Sequence, residues 1–176
     1  MKFKLMGGIA AVALAIGAPG AAAAQDAHAR PALQLATNGL ELRDVESKES
    51  DLIGFGTSQD DTVAFIGRAL NGPTASGLSE ECGAGPLGTV DFDDVRLYFK
   101  AGEFVGWETT SGHYSKQGIH VGMTSDELMA ATDEMEGEEN SIGYEWTADG
   151  FSGLLTEGGP KGVITTIWAG TTCIMR

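Results

Sequence analysis

The side chains of this 176-residue chain that could do chemistry are three histidines, two cysteines and 25 carboxylates. A catalytic zinc needs three converging ligands and one open position. His28 lies near the amino terminus, which leaves His113 and His120, with Glu108 nearby in sequence. Their spacing matches no helical pair such as His-Glu-x-x-His, and His113 sits in a Ser-Gly-His-Tyr turn that reads as solvated. A serine nucleophile would be held in a Gly-x-Ser-x-Gly elbow. Gly150-Phe151-Ser152-Gly153 has its glycine at the wrong distance and reads as a turn between strands. No glycine-rich run leads into Lys-Ser/Thr at a helix start, and no Gly-x-Gly-x-x-Gly links a strand to a helix. No catalytic residue, metal or cofactor is therefore assigned.

The carboxylates fall into two clusters. Asp91, Asp93 and Asp94 form one. Asp133, Glu134, Glu136, Glu138 and Glu139 form the other, placed by the pattern at the end of a helix, where negative charge opposes the macrodipole. Neither follows the looped ligand spacing of a calcium site. They read either as an acidic patch for a basic partner or as solvated loops. Two acids meeting in space could also cleave glycosides, so a small hydrolase or cation-dependent enzyme built from dispersed carboxylates stays open. Tyr144-Glu145-Trp146 alternates, which places Tyr144 and Trp146 on one strand face. With Trp107 they are the candidate binding surface if that face is uncovered. Trp107 and Trp168 read also as core or sheet-face residues, near the ends of comparable strands.

Cys82 and Cys173 are an even pair, and the amino terminus reads as an export signal. Lys2 and Lys4 precede an apolar run from Leu5 to Ile16, and small residues follow to Ala24. Residues 1–24 are thus expected to be removed. The run is shorter than the roughly 20 residues of a spanning helix, so a soluble periplasmic or extracellular product is expected. In an oxidising compartment the simplest state of two cysteines is one disulfide. Removing 24 residues with two lysines leaves 176 − 24 = 152 residues and a formal charge of 9 − 25 = −16. Such a charge excludes a nucleic-acid binder that works by neutralising phosphates and disfavours anionic lipid. The sequence sets no oligomeric state.

The elements that must position these groups follow from periodicity. Residues 25–38 are Ala-rich and aperiodic, and read as a flexible leader. A single domain is expected over 39–176, and its 26 glycines read as tight turns between short strands. Leu40 to Val45 alternates like a strand. Thr57, with Asp60 three residues on, caps a helix carrying Val63, Ile66 and Leu70, which Asn71-Gly72-Pro73 stops. Val95–Phe99 and Phe104–Thr109 form a hairpin. The same order then recurs. Thr124 with Glu127 caps a helix carrying Leu128, Ala131 and Met135, and Gly153–Leu155 pairs with 162–169. This predicts an α+β fold of two tandem helix-plus-antiparallel-sheet units, pseudo-repeats over about 52–110 and 119–176, stapled by Cys82 and Cys173.

Val121-Gly122-Met123-Thr124 with Glu127-Leu128, and Gly54-Phe55-Gly56-Thr57 with Asp60, resemble the cap of the small secreted helix-plus-sheet module found in the beta-lactamase inhibitor protein and the BamE (SmpA) lipoproteins. The likeness covers the order of elements over most of residues 52–176, and the tandem arrangement is closer to the inhibitor. It implies a binding or scaffolding role without catalysis and carries over no functional residue. An exported, non-catalytic binding or envelope-associated module is the expectation, its partner another protein of the envelope or medium. A secreted inhibitor of a hydrolase is the alternative that the resemblance implies.

Overall fold

The computed structural model describes residues 29–174, and the segment read as an export signal lies outside them. In chain order the elements are β1 (Ala32–Ala36), β2 (Gly39–Arg43), β3 (Ser50–Gly54), α1 (Gln59–Ile66), β4 (Ala75–Ser79), β5 (Leu87–Phe92), β6 (Val95–Lys100), β7 (Glu103–Thr109), β8 (Tyr114–Ser115), α2 (Ser125–Ala131), β9 (Met135–Asn140), β10 (Gly143–Ala148), β11 (Phe151–Leu155) and β12 (Ile164–Gly170). The fold is α+β and mostly strand, with a four-stranded sheet ordered β3-β2-β1-β8 and an eight-stranded sheet ordered β4-β5-β6-β7-β12-β11-β10-β9.

The large sheet is symmetrical in order about its β7–β12 seam. Each half is a four-strand meander preceded by a helix, and the last strand of each meander lies at the centre. The helix starts are tied to those two strands. Ser58 bridges to Glu103 at the start of β7, and Thr124 bridges to Val163 just before β12. α2 begins with a capping box, in which the Thr124 hydroxyl accepts from the Glu127 backbone and Glu127 accepts from the Thr124 backbone at 2.8 Å. In α1 the cap is Ser58, whose hydroxyl accepts from the Asp61 N–H, and not Thr57, which donates to the Gly54 carbonyl at 2.8 Å.

Three expectations need correction. The leader predicted over 25–38 contains β1, and ordered chain begins ahead of Gly39. Leu33, Gln34 and Leu35 are all buried because β1 lies between β2 and β8 in a sheet packed on the core. The β1–β2 turn ends at Gly39, where a Cβ would lie 2.0 Å from the Ile53 carbonyl oxygen, so only glycine permits the neighbouring strand so close. The second correction concerns the acids placed at a helix end. α2 stops at Ala131, and Met135–Asn140 is the edge strand β9, antiparallel to β10. The macrodipole therefore does not act on Glu136, Glu138 and Glu139.

The third concerns Trp107 and Trp168, read as counterparts. Trp107 faces Ala169 across the seam while Trp168 faces Glu108. Because side chains alternate along a strand, the two indoles point to opposite faces of the sheet. The Trp107 face, called inner here, packs against Ile66 of α1, Leu128 of α2 and Leu33, Leu35, Leu40 and Leu42 of the small sheet in one core cluster. The other face, called outer, is crossed near its middle by the chain around Cys82 and by the carboxyl-terminal segment. A Cβ on Gly106 would lie 2.1 Å from the Thr171 carbonyl oxygen. Cys82 and Cys173 are bonded there, with a Cα–Cα distance of 4.9 Å, beside Leu87, Tyr98 and Val105.

Candidate binding face

Cross-strand register builds one row of side chains across the outer face. Asp91 faces Arg96, which faces Glu108, then Trp168, Ser152, Thr147 and finally Glu136 on the β9 edge. A parallel row holds Glu145, paired with Glu138 on β9. Carboxylates thus dominate this face at both ends.

The two ends differ in how their charge is balanced. At the β5–β6 end Arg96 donates to both Asp91 oxygens, at 2.6 and 3.1 Å. This pairing holds the guanidinium charged well beyond its usual range. Asp94 lies 3.1 Å from the His113 Nε2, outside the angular range of a good hydrogen bond, since that nitrogen has no hydrogen-bond partner. Burial raises the Asp94 carboxyl, but hydrogen bonding from Ser111 and the adjacent His113 ring outweigh it, so its pKa is lowered. Asp93 is exposed in the turn. Within this cluster Asp91 is therefore neutralised by a guanidinium and Asp94 is held by its neighbours, while Asp93 alone is open to solvent.

The β9 end is not compensated in this way. Glu136 and Glu138 are exposed on the outer face, while Glu139 pairs with Tyr144 and faces the inner side. The three glutamates read as one patch are split by the two-residue period of the strand. Among the described residues no ion pair involves any of them. Glu136, Glu138, Glu145 and Thr147 line a cleft of about 360 Å³, in which Glu145 is buried and accepts from the Asn140 amide at 2.7 Å.

The aromatic residues proposed as a surface lie elsewhere. Trp107 and Trp146 are each 0 % exposed, and both belong to the inner core. Their face is covered by the helices and the small sheet, so the expectation of an exposed aromatic platform fails. Trp107 donates its indole N–H to the Ala36 carbonyl at 3.1 Å and meets Phe151 edge-on at 6.1 Å. Trp146 fits because Gly153 opposes it, where a Cβ would lie 2.5 Å from its Nε1. Tyr144 is half-buried against the same core. The ring of His120 stacks on Tyr114 at 4.4 Å, while His113 contacts Asp94. Among the described residues no group of three or more histidine, cysteine or acidic side chains is placed to hold a metal ion.

Sequence reading missed Arg96 and Tyr98 as outer-face residues, while Trp168, read as a core or sheet-face residue, lies on that face. Alternation in Arg96-Leu97-Tyr98 and Trp107-Glu108 was the available signal. Tyr98 is buried and donates to Glu108 at 2.5 Å. Burial first, and then that bond to a carboxylate, push its phenol pKa well above the ordinary 10.0. A raised folded pKa gives a contribution to stability that is whole below the unfolded value and is lost as pH rises. Stability is therefore expected to fall above about pH 10, as unfolded Tyr98 ionises. Tyr98→Phe should flatten that decline in urea titrations run from pH 8 to pH 11; an unchanged slope would contradict the assignment.

These features define a layered α+β protein, one face of its large sheet buried under helices and a second sheet, the other partly open and acidic. Comparison with protein-family models, curated proteins and solved structures finds no match to this chain.

Proposed function

We propose that this chain is an exported, non-catalytic binding module that engages a basic protein surface through the β9 end of its outer face. The observation that carries the reading is the contrast between the two ends: Asp91 is paired with the Arg96 guanidinium and Asp94 contacts the His113 ring, whereas Glu136 and Glu138 are exposed with no ion-pair partner among the described residues. Carboxylates left without internal partners are available to an external cation, and one-signed charge on an open face speeds encounter with the opposite sign. The disulfide supports an oxidising compartment, and no helix among the described residues is long and apolar enough to cross a membrane. The strand order about the seam supports descent from a duplicated helix-plus-meander unit, as the likeness to the inhibitor and lipoprotein module implies.

Capture of partners from envelope and medium fractions tests this reading. The partner should be retained at low salt, released at high salt, and lost from a Glu136→Gln/Glu138→Gln variant that keeps its thermal stability. Equal capture by that variant would sink the assignment of the face. Amino-terminal sequencing of the exported product should begin at Gln25.

A further inference from the structure

The large sheet has two open edges of opposite character. β9 carries Glu136, Glu138 and Glu139, and self-pairing would set like charges against each other, which is destabilising. β4, Ala-Ser-Gly-Leu-Ser, carries no charge and, among the described residues, pairs only with β5. An uncharged edge lacks the usual protection against edge-to-edge pairing. It also displays Leu78, which at 62 % is the most exposed large hydrophobic residue described.

A second feature lies beside that edge. α1 leaves a cleft of about 500 Å³ against β4 and β5, lined by Val63, Ala64, Pro73, Ser76 and Val90, with Asp60 at its border. Ser76 faces Val90, so the cleft is on the inner side of the sheet. Leu78 is two residues from Ser76 and shares that side.

We infer that β4 is a self-association edge, pairing antiparallel with β4 of a second copy so that each Leu78 enters the cleft beside the other copy's Ser76. With Gly77 on the two-fold axis, Leu78 of one copy stands opposite Ser76 of the other, and opposed residues of antiparallel strands point to the same side. The contact is thus self-complementary, as a two-fold interface must be. A five-residue edge with one leucine anchor is smaller than the roughly 1,000 Å² of a stable interface, so the dimer belongs at high micromolar concentration and above. The net charge, −14 for the full chain and more negative still without Lys2 and Lys4, opposes it, and salt should strengthen it by screening. That dependence is opposite in sign to the one expected for a basic partner.

Sedimentation velocity of the purified disulfide-bonded protein, at low and high salt, tests the inference. A monomer–dimer equilibrium that tightens with salt is expected, weakened about tenfold or more by Leu78→Asp, which would bury a carboxylate in the cleft. Leu78 is exposed, so this change removes no core contact. Register is read by cysteine cross-linking with a mild oxidant. Gly77→Cys places two thiols opposite each other within disulfide reach, and its Cβ meets nothing closer than the Thr89 hydroxyl at 3.4 Å. Ser76→Cys stands opposite leucine and should not cross-link. A protein that stays monomeric to about 1 mM, association unchanged by Leu78→Asp, or equal cross-linking at both positions would overturn the inference.

Discussion

Cys82→Ser is expected to lower the stability of the oxidised protein by about 3–4 kcal/mol and its melting temperature by about 10 °C. The bridge spans 91 residues, and the loss of unfolded-chain entropy for such a loop has a ceiling of roughly 4–5 kcal/mol. Its position adds a local effect. The bonded Cys173 holds the carboxyl-terminal segment over Gly106 and closes a small cluster with Leu87, Tyr98 and Val105. Without the bridge, that segment and the loop after β4 lose their covalent anchor, and Tyr98 gains solvent access. Guanidinium titrations of Cys82→Ser and of the parent protein under reductant should agree. A loss below about 1 kcal/mol in both would show that noncovalent packing alone fixes the crossing.

Trp107→Ala should cost about 3–5 kcal/mol, as expected for removal of a fully buried indole. Trp107 is 0 % exposed at the centre of the inner face, and its N–H is bonded to Ala36, 71 residues earlier in the chain. The side chain therefore both fills the core and fastens β1 to the large sheet. Trp107→Phe separates these roles: it keeps an aromatic ring but leaves the Ala36 carbonyl without its donor, at about 1–3 kcal/mol. Hydrogen exchange of β1 and β2 amides should accelerate in both variants, more than exchange in β10 and β11. Uniform acceleration over the whole chain would mean that the small sheet has no separate dependence on this residue.

Local chemistry made much of the fold legible. The β6–β7 and β11–β12 hairpins, the Thr124 box and the cysteine pair were written in alternation, turn residues and redox logic. Of the small sheet β2 was, in the alternation from Leu40, but β1 was not, because it lies in an Ala-rich stretch and is buried through neighbours that include β8, far away in sequence. β9 was hidden for a related reason. Its Met-Glu-Gly-Glu-Glu-Asn sequence has no apolar alternation, and it is a strand because β10 offers it an edge, with Gly137 opposite Trp146. The candidate site was less legible still. Period two says that Tyr144 and Trp146 share a face, but only packing says that the face is covered. Likewise Asp91 and Asp94 belong to an acidic run in sequence, yet in space Arg96 pairs with the first and Ser111 and His113 lie against the second.

The order of the large sheet sets a timetable for folding. β7 completes the first meander, but its neighbour across the seam is β12, which follows it only after β8, α2, β9, β10 and β11. While synthesis proceeds from one end, the first half presents a finished sheet whose middle is still an open edge, with Trp107 beside it awaiting Ala169. Such an edge invites foreign strands, and a pairing of high sequence separation closes slowly. The seam that joins the halves is therefore the interval of greatest exposure to aggregation, and a chaperone acting on this chain has most to protect before β12 arrives.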